Sequence, residues 1–282
     1  MTTQQVYTSL INGTAGADIA AADRGLLYGD GFFTTVRVVQ GQPDLWPLHV
    51  ERLQTCARAV FGWAALPKSV LTLIEQELST VTEGHQECGA RITLTRGVGG
   101  RGYAPPESNA DTVTRMVTAF AYPAVYSDWQ RHGVKTELAA FYLGSQHPRL
   151  AGLKTLNRLE QVMLKQELAQ RDTDELIVLD ASGAIAEATA GNVFWRQGDT
   201  WYTPELAQTG VHGVVRQALL TKYPQIQRVN AQVNALRTAD EAFVCNALMG
   251  QVSIRSLDGK ALPTVRNYKN EAPFTLAGLS PC

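Results

Sequence analysis

Short apolar segments separated by turn residues dominate the chain, and their spacing predicts alternating strands and helices in the first 122 residues. Alternating or β-branched runs predict strands, and apolar residues three or four positions apart predict helices. The predicted strands of this part are Val6–Ile11, Phe32–Val39, Arg91–Thr95 and Met116–Ala121. The predicted helices are Leu48–Phe61 and Val70–Val81. A glycine- and proline-rich loop, residues 97–110, joins the last two strands.

The second part of the chain predicts a series of short strands together with two helices. The helices are expected at Thr155–Ala169 and from Gly213 onward. The expected strands are Val134–Ala139, Glu175–Leu179, Ala184–Ala188, Val193–Arg196, Thr200–Thr203, Ala242–Cys245 and Val252–Ile254. We therefore predict an α/β fold with a smaller N-terminal domain over residues 1–122, a linker at 123–129 and a larger C-terminal domain over 130–282. From Arg266 onward the pattern is poor, and only partial order is expected there.

Charge and cysteine content narrow the functional classes. The chain has 25 Lys and Arg against 26 Asp and Glu, so it lacks the basic surface that non-specific nucleic-acid binding requires. The four cysteines are scattered, which is typical of reduced thiols in the cytoplasm. No apolar stretch approaches the roughly 20 residues of a membrane helix, and the N-terminus shows no secretory signal. We expect a cytoplasmic protein that contacts neither nucleic acid nor membrane.

The glycine-rich loop contains a match to a nucleotide-binding motif that the following residues argue against. Gly97–Gly102 fits the dinucleotide fingerprint G-x-G-x-x-G, which needs a helix directly after it. Pro105 and Pro106 follow instead and disfavour that helix. Arg96 and Arg101 bracket the glycines and suit a carboxylate ligand, although an ordinary solvated hairpin loop explains the pattern equally well.

Two common classes of catalytic site find no support in the sequence. The five histidines lack the mutual spacing of metal ligands, so no metal site is predicted. No nucleophile elbow G-x-S-x-G occurs either, which disfavours hydrolase chemistry.

Three other features together predict a different chemistry. Lys154 lies in an apolar stretch, where burial favours a neutral, nucleophilic amine. Taken by itself, this feature is also explained by a lysine at a helix end whose side chain extends to solvent. Glu187 lies in an apolar strand, where a carboxylate needs a polar partner such as a ring N–H. Residues 209–216 form a glycine-rich turn that opens a helix, a site for phosphate. Amine, acid and phosphate cradle are the requirements of pyridoxal phosphate.

These segments also resemble a known signature. Glu187-x-Thr189-x-x-Asn192-Val193-Phe194, then Thr203, then Val211-x-Gly213-Val214-x-Arg216 is similar to the signature of the fold-type IV pyridoxal-phosphate enzymes, the class-IV aminotransferase family. Trp201 departs from the usual aliphatic residue or Phe, which is an apolar replacement. The resemblance implies a two-domain fold with pyridoxal 5'-phosphate between a smaller N-terminal and a larger C-terminal domain, and a homodimer.

Within that family the chain most resembles the aminodeoxychorismate lyases, over residues from about 10 to 255. The segments that carry this resemblance are Leu10–Gly13, Asp23-Arg24, Gly29–Thr35, His49–Gln54, Arg96–Tyr103, Leu150–Gln161 and Cys245–Met249. It implies conversion of 4-amino-4-deoxychorismate, a dicarboxylate, to 4-aminobenzoate and pyruvate by β-elimination. Two alternatives stay open: an aminotransferase of D-amino or branched-chain amino acids, and a non-catalytic protein that keeps only the fold.

The resemblance also implies roles for individual residues. Lys154 matches the catalytic lysine that holds the cofactor and moves protons, and Glu187 matches the carboxylate that faces the pyridine nitrogen. The cofactor phosphate is expected to contact Arg52 and the backbone N–H groups of Val214, Val215 and Ala247, with Asn192 supporting them. On the substrate side the expected residues are Thr35, Arg96, Arg101 and Tyr103. Thr35 and Tyr103 are also the candidates for proton delivery to the leaving group.

Overall fold

The computed structural model describes residues 5–107, 109–267 and 273–275, which form two compact units. The first unit extends to Pro123 and also includes Leu153–Asn157. The second unit comprises Ala124–Gly152 and the chain from Arg158 onward. The segment Leu153–Asn157 therefore groups with the first unit, although it follows 29 residues of the second in the sequence.

The first unit is built on one antiparallel sheet with helices. Its strands are β1 (Val6–Ile11), β2 (Thr14–Ala15), β3 (Gly31–Val39), β4 (Gln42–Pro43), β5 (Glu87–Thr95) and β6 (Thr114–Ala121), in the order β2-β1-β6-β5-β3-β4. Its helices are α1 (Arg24–Tyr28), α2 (Trp46–Cys56), which continues into a π-helical turn at Ala57–Phe61, and α3 (Lys68–Thr82). The four strands and two long helices predicted for this part are confirmed, with the strands β3, β5 and β6 longer than expected.

Strand β3 shows why these residues form a sheet with one apolar face. Phe32, Val36 and Val38 alternate along the strand and are almost fully buried in the core of the first unit, which α2 and α3 also line. Phe33 and Thr35 occupy the intervening positions and therefore belong to the other face. This second face carries several of the predicted site residues.

The second unit contains a nine-stranded mixed sheet. Its strands are β7 (Val134–Leu138), β8 (Glu175–Leu179), β9 (Ile185–Ala188), β10 (Asn192–Gln197), β11 (Thr200–Pro204), β12 (Gln227–Val229), β13 (Glu241–Asn246), β14 (Gly250–Leu257) and β15 (Lys260–Ala261). The strand order is β12-β11-β10-β13-β14-β7-β8-β9, with β15 paired to β14. Strand β7 runs parallel to both of its neighbours, and β11 runs parallel to β12. The predicted fold class, α/β with mixed sheets, is confirmed.

The helices of the second unit differ most from the sequence-based expectation. They are α4 (Val125–His132), α5 (Leu159–Leu168), α6 (Val214–Lys222) and α7 (Asn234–Arg237). Residues 123–129 were expected as a linker, but most of them form α4, because Tyr126 and Trp129 pack against the apolar core of this unit. No helix in the described part of the chain has the length and hydropathy of a membrane-spanning segment.

The helix expected at Thr155–Ala169 starts later than its periodicity indicates. The backbone N–H of Phe33 donates to the carbonyl of Lys154 at 3.0 Å, and the N–H of Leu156 donates to the carbonyl of Gly31 at 3.0 Å. Because Lys154 and its neighbours are held in extended pairing with β3, the helix begins only at Leu159.

The expectation of partial order from Arg266 concerns residues that lie mostly outside the described part of the chain. Arg266 itself is described, and its guanidinium forms an ion pair with the buried Glu241 at 3.0 Å.

Candidate functional site

The lysine predicted to hold the cofactor lies beside the second face of the first unit's sheet. Lys154 is half-buried, and its Nζ lies 4.8 Å from the centroid of the Phe33 ring. Its backbone is fixed by the bond to β3 described above. The position of this amine is thus set by strand pairing rather than by a helix end.

A second cation shares that aromatic ring and was missed in the sequence. The guanidinium carbon of Arg91 lies 3.6 Å from the centroid of Phe33, and burial lowers the pKa of Arg91. Arg91 on β5 is the register partner of Thr35 on β3, so the two side chains occupy the same face. The only signal that the sequence offers for it is an arginine at the start of the predicted strand Arg91–Thr95.

The predicted phosphate-binding arginine belongs to a small buried network on the helix-covered face of the same sheet. Arg52 donates to the hydroxyl of Thr34 at 3.4 Å, and that hydroxyl lies 2.6 Å from Nδ1 of His49. Thr34 and His49 are both fully buried, and His49 Nε2 has no partner among the described residues. Burial and the nearby Arg52 charge hold the pKa of His49 well below its usual value. A neutral imidazole thus lies beside Arg52 without competing for an anion.

The substrate-side residues of the loop 97–104 divide into a buried and an exposed group. Arg96 is buried and donates to the Asp30 carboxylate at 2.7 Å and to the carbonyls of Val60 and Phe61. Arg101 and Tyr103 are exposed, Tyr103 to 87%. Arg101 is therefore better placed than Arg96 to offer a guanidinium to a ligand. No helix follows the glycines between residues 103 and 107, as the two prolines predict.

In the second unit, the predicted ring-nitrogen partner is a buried carboxylate. Glu187 lies on β9, whose four residues are all buried, and its Oε2 accepts a hydrogen bond from the backbone N–H of Val211 at 2.8 Å. Its other neighbours include Gly210, where an added Cβ would lie 3.0 Å from the same oxygen. The carboxylate is thus held at a defined position next to the turn that leads into α6.

The start of α6 is tied to β10 by one amide side chain. Asn192 donates through Nδ2 to the carbonyl of Val211 at 2.9 Å and accepts through Oδ1 from the N–H of Gly213 at 3.1 Å. Val214 and Val215 follow as the first helical residues. Their N–H groups belong to the first turn, where a helix leaves its donors without internal partners. The arrangement is a small anion-binding cradle of the kind found at helix N-termini.

The fourth predicted phosphate contact, Ala247, lies in the turn between β13 and β14. The side chain of Asn246 shapes this turn by accepting from the N–H groups of Leu248 and Met249 at 2.9 and 2.8 Å. It also donates to the carbonyl of Ala190 at 2.9 Å, in the turn that precedes β10. The two turns are therefore connected by a single side chain.

A buried carboxylate that the sequence analysis missed supports the same turn. Glu175 on β8 accepts hydrogen bonds from both the backbone N–H and the hydroxyl of Thr189, and Lys165 lies 3.5 Å from its second oxygen. Glu175 thus fixes Thr189 in the turn between β9 and β10. Glu175, like Glu187, is a glutamate in an apolar strand. Only the strand pairing in the structure distinguishes the surroundings of these two residues.

The polar groups found in each unit, taken by itself, are ones that pyridoxal phosphate requires. The first unit offers the amine of Lys154 and the guanidinium of Arg52, and the second offers the carboxylate of Glu187 and the cradle at Val214. A Cβ on Gly213 would lie 2.0 Å from Asn192 Oδ1, so the cradle requires glycine there. Among the described residues no group of His, Cys, Asp and Glu is arranged to hold a metal ion.

Comparisons with known proteins give the same class. The family model for amino-transferase class IV matches residues 31–257. The aminodeoxychorismate lyase of Vibrio harveyi is 32% identical over 262 residues, covering 88% of this chain and 90% of the relative.

Solved structures agree. The crystal structure of 4-amino-4-deoxychorismate lyase from Pseudomonas aeruginosa superposes with a TM-score of 0.81 at 32% identity, covering 93% of this chain and 95% of that one. The PLP-bound form of a hypothetical aminotransferase from Mycobacterium tuberculosis shares the fold, with a TM-score of 0.75 at 20% identity over 92% of this chain and 93% of that one.

The chain belongs to the class IV aminotransferase family. The class of pyridoxal-phosphate enzymes that the signature around Glu187 and Gly213 indicates is thereby confirmed. The roles of the individual residues stay predictions.

Proposed function

We propose that the chain is a pyridoxal-phosphate-dependent lyase that converts 4-amino-4-deoxychorismate into 4-aminobenzoate and pyruvate, in folate biosynthesis. The observation that carries this proposal is similarity over nearly the whole chain to two proteins named as lyases of this substrate, each at 32% identity. The residues expected of the cofactor site are also all present in the chain.

Each part of the cofactor would be held by its own group of residues. Lys154 holds it through the side-chain amine, and Glu187 keeps a proton on the ring nitrogen. Its phosphate is bound by Arg52 and by the backbone N–H groups of Val214, Val215 and Ala247, with Asn192 fixing the cradle. When bound, the cofactor supplies an electron sink for the bond-breaking step.

The proposed chemistry needs one proton removed and one delivered. The amine of Lys154, free once the substrate amine has taken its place, would take the proton from C4 of the substrate as the C3–oxygen bond breaks, and the six-membered ring becomes aromatic. The enolpyruvate that leaves takes up one proton and becomes pyruvate, so the atoms of the substrate equal those of the two products. Thr35 and Tyr103 are the proposed donors of that proton.

Cations on the first unit account for binding of a dicarboxylate. Arg101 is exposed in the loop, while Arg96 has donors committed to Asp30 and to two carbonyls. Arg91, which shares a sheet face with Thr35, is a further candidate that the sequence analysis missed. Arginine forks match carboxylate geometry, and a chain of net charge −1 must bind an anion through such placed groups.

We further propose a cytoplasmic homodimer. Large apolar side chains are exposed on each unit, which is typical of surfaces that another chain covers. On the first unit they include Leu26 at 68% and Leu27 at 52%, and on the second they include Leu159 at 72%. A cytoplasmic location is in keeping with Cys56, Cys88 and Cys245, whose thiols are buried and form no disulfide.

The direct test is product analysis with purified protein loaded with pyridoxal phosphate. 4-Amino-4-deoxychorismate alone should yield 4-aminobenzoate and pyruvate in equal amounts, with no keto acid added. The Lys154→Ala variant should form neither product and should not become linked to the cofactor on borohydride treatment. Lys260→Ala, at an exposed position on β15, is the matched control, and it should behave as the unmodified protein does. Equal product formation by Lys154→Ala would refute the role of this lysine.

A further inference from the structure

One buried arginine of the first unit is bonded to an unusual number of loop carbonyls. Arg24, the first residue of α1, is only 4% exposed. Its Nε donates to Asp30 Oδ2 at 2.9 Å, and Arg96 donates to the same oxygen at 2.7 Å, so one carboxylate partly offsets the charge of both guanidinium groups. The rest of the guanidinium is therefore available to neutral acceptors.

Those acceptors all come from a single loop. Nη1 of Arg24 lies within hydrogen-bond distance of three carbonyls and Nη2 of a fourth. The four are the carbonyls of Gly99 at 3.3 Å, Gly102 at 3.0 Å, Ala104 at 3.4 Å and Tyr103 at 3.3 Å. Hydrogen bonds from a charged donor are stronger than neutral ones, and the planar fork of arginine is the side chain that can serve several acceptors at once.

The loop needs this support because its own backbone is irregular. Gly97, Gly99, Gly100 and Gly102 all have positive φ, between 57° and 129°. A chain in that conformation forms no regular ladder that would satisfy its carbonyls. The guanidinium of Arg24 supplies the hydrogen bonds that such a ladder would otherwise provide.

Aromatic contacts extend the same support to a side chain. The guanidinium carbon of Arg24 lies 4.9 Å from the centroid of the Tyr28 ring, and Tyr28 packs against Tyr103 with centroids 5.4 Å apart. Arg24 thus contacts Tyr103 through its carbonyl and supports its ring through Tyr28.

The base of the loop is held by Asp23 and by the backbone of Arg24, independently of the Arg24 guanidinium. The carboxylate of Asp23 accepts from the hydroxyls of Thr95 and Thr114 at 2.8 and 2.7 Å, and the N–H of Arg24 donates to the carbonyl of Gly97 at 2.9 Å. The guanidinium of Arg24 therefore acts on the distal part of the loop, residues 99–104, rather than on its attachment to β5 and β6.

We propose that Arg24 is a positioning residue that holds residues 99–104 in one conformation and thereby presents Arg101 and Tyr103 to the substrate. The substrate part of this statement rests on the proposed function. The positioning part does not, because it concerns only the order of the loop.

Trypsin tests the positioning part, since Arg101–Gly102 is a cleavable bond in the middle of the loop. In the unmodified protein this bond should resist trypsin although Arg101 is exposed. Arg24→Lys keeps the charge but loses the fork, and cleavage after Arg101 should become roughly tenfold faster, as expected for about 1.4 kcal/mol less protection against local opening. Arg58→Lys, at an exposed arginine bonded only locally to Thr55, is the matched control and should leave the rate unchanged.

Two results would overturn the positioning role. One is rapid cleavage after Arg101 in the unmodified protein under native conditions, which needs no variant to fold. The other is an unchanged cleavage rate in an Arg24→Lys variant whose thermal unfolding shows that it is folded.

Kinetics test the link to substrate. Arg24→Lys should raise KM about tenfold through Arg101 and should lower kcat no further than Tyr103→Phe does, because the cofactor residues are not altered. In the double variant Arg24→Lys/Arg101→Ala, KM should be no higher than in Arg101→Ala alone, since both changes remove the same interaction. Additive effects on KM would overturn the link. If Arg24→Lys loses its protection against trypsin but the unmodified protein has no lyase activity, only the proposed function is contradicted.

Discussion

At the residue scale, His49 shows how one buried side chain links stability to pH. Its ring is fully buried beside Arg52, and both conditions lower its pKa well below the usual value. Arginine only donates, so the Thr34 hydroxyl accepts from Arg52 and can itself donate to Nδ1 of His49. Protonation of the ring would remove that acceptor and bring a second positive charge next to Arg52.

We predict that His49 makes the protein less stable in mild acid. The unfolded chain carries this histidine with a pKa of about 6.5 and so binds the proton first as the pH falls. The stabilisation is complete above that pKa and decreases below it, by at most about 1.4 kcal/mol per pH unit, until the lower folded pKa is reached. Urea denaturation between roughly pH 7.5 and 5.5 measures this slope.

A matched pair of variants isolates the contribution of His49. His49→Gln should be less stable than the unmodified protein near neutral pH but should have a shallower slope. His132→Gln, at an exposed position, should keep the original slope. His212, whose pKa is also lowered by burial, contributes equally in every case. Identical slopes for His49→Gln and the unmodified protein would contradict the prediction.

Single residues were predictable where a motif gives their chemistry away. Lys154, Glu187 and Asn192 lie in apolar surroundings, where a polar side chain requires a polar partner, and the signature around them is specific. Arg24 and Arg91 were not predictable as parts of the site. Their roles depend on which loop and which strand lie against them, and a single sequence does not contain that register.

At the scale of the element, the start of α6 is the clearest case of local design. Gly213 has a φ of −63°, a value that any residue adopts, so backbone strain does not explain the glycine. The explanation is contact, since a Cβ there would lie 2.0 Å from Asn192 Oδ1. Asn192 in turn holds the turn at Val211.

We predict that Gly213→Ala weakens cofactor binding. The new methyl group must displace Asn192 or the first turn of α6, and the cradle at Val214 opens. We expect a Kd for pyridoxal phosphate that is roughly 10- to 100-fold higher, corresponding to about 1.4–2.8 kcal/mol. Titration of the cofactor-free protein, followed by fluorescence, measures it.

Two further variants check the cause. Gly144→Ala, where the nearest atom is a flexible carboxylate oxygen of Glu160 at 3.3 Å, should bind the cofactor normally. In Gly213→Ala/Asn192→Ala the clash is absent, so the two changes should be less than additive. Full additivity would show that Asn192 is not the residue displaced.

Elements were predictable to the extent that their pattern is local. The strands β1 and β8 start and end where alternation and turn residues indicate. The helix after Lys154 was placed too early, since residues 153–157 have helical periodicity but pair with β3 instead. Helix α4 was taken for a linker because its apolar residues are few and their burial depends on the second unit's core.

At the scale of the whole molecule, the chain forms two units with separate apolar cores. The balanced charge argues against polyanion partners, and the fold shows how a chain of net charge −1 presents cations locally, through arginines such as Arg91 and Arg101. The division of the chain into units was approximated from the proline at 123. The return of Leu153–Asn157 to the first unit had no signal in the sequence.

We predict a dimer in solution that depends on the exposed apolar side chains. Leu27→Glu on α1 and Leu159→Glu on α5 each place a charge where burial by another chain would make it costly. Light scattering after gel filtration should give twice the chain mass of 30.7 kDa for the unmodified protein and a shift toward monomer for at least one variant. Lys68→Glu, at the start of α3, is the control. A monomeric unmodified protein would contradict the prediction.

The ratio of two activities in one preparation of the cofactor-loaded protein distinguishes a lyase from an aminotransferase. One is kcat/KM for release of 4-aminobenzoate from 4-amino-4-deoxychorismate, and the other is kcat/KM for amino transfer from D-alanine or a branched-chain amino acid to 2-oxoglutarate. We predict that the lyase value exceeds each transfer value by roughly 100-fold or more, equivalent to about 2.7 kcal/mol of transition-state discrimination. A transfer value above the lyase value would contradict the account and identify the chain as an aminotransferase.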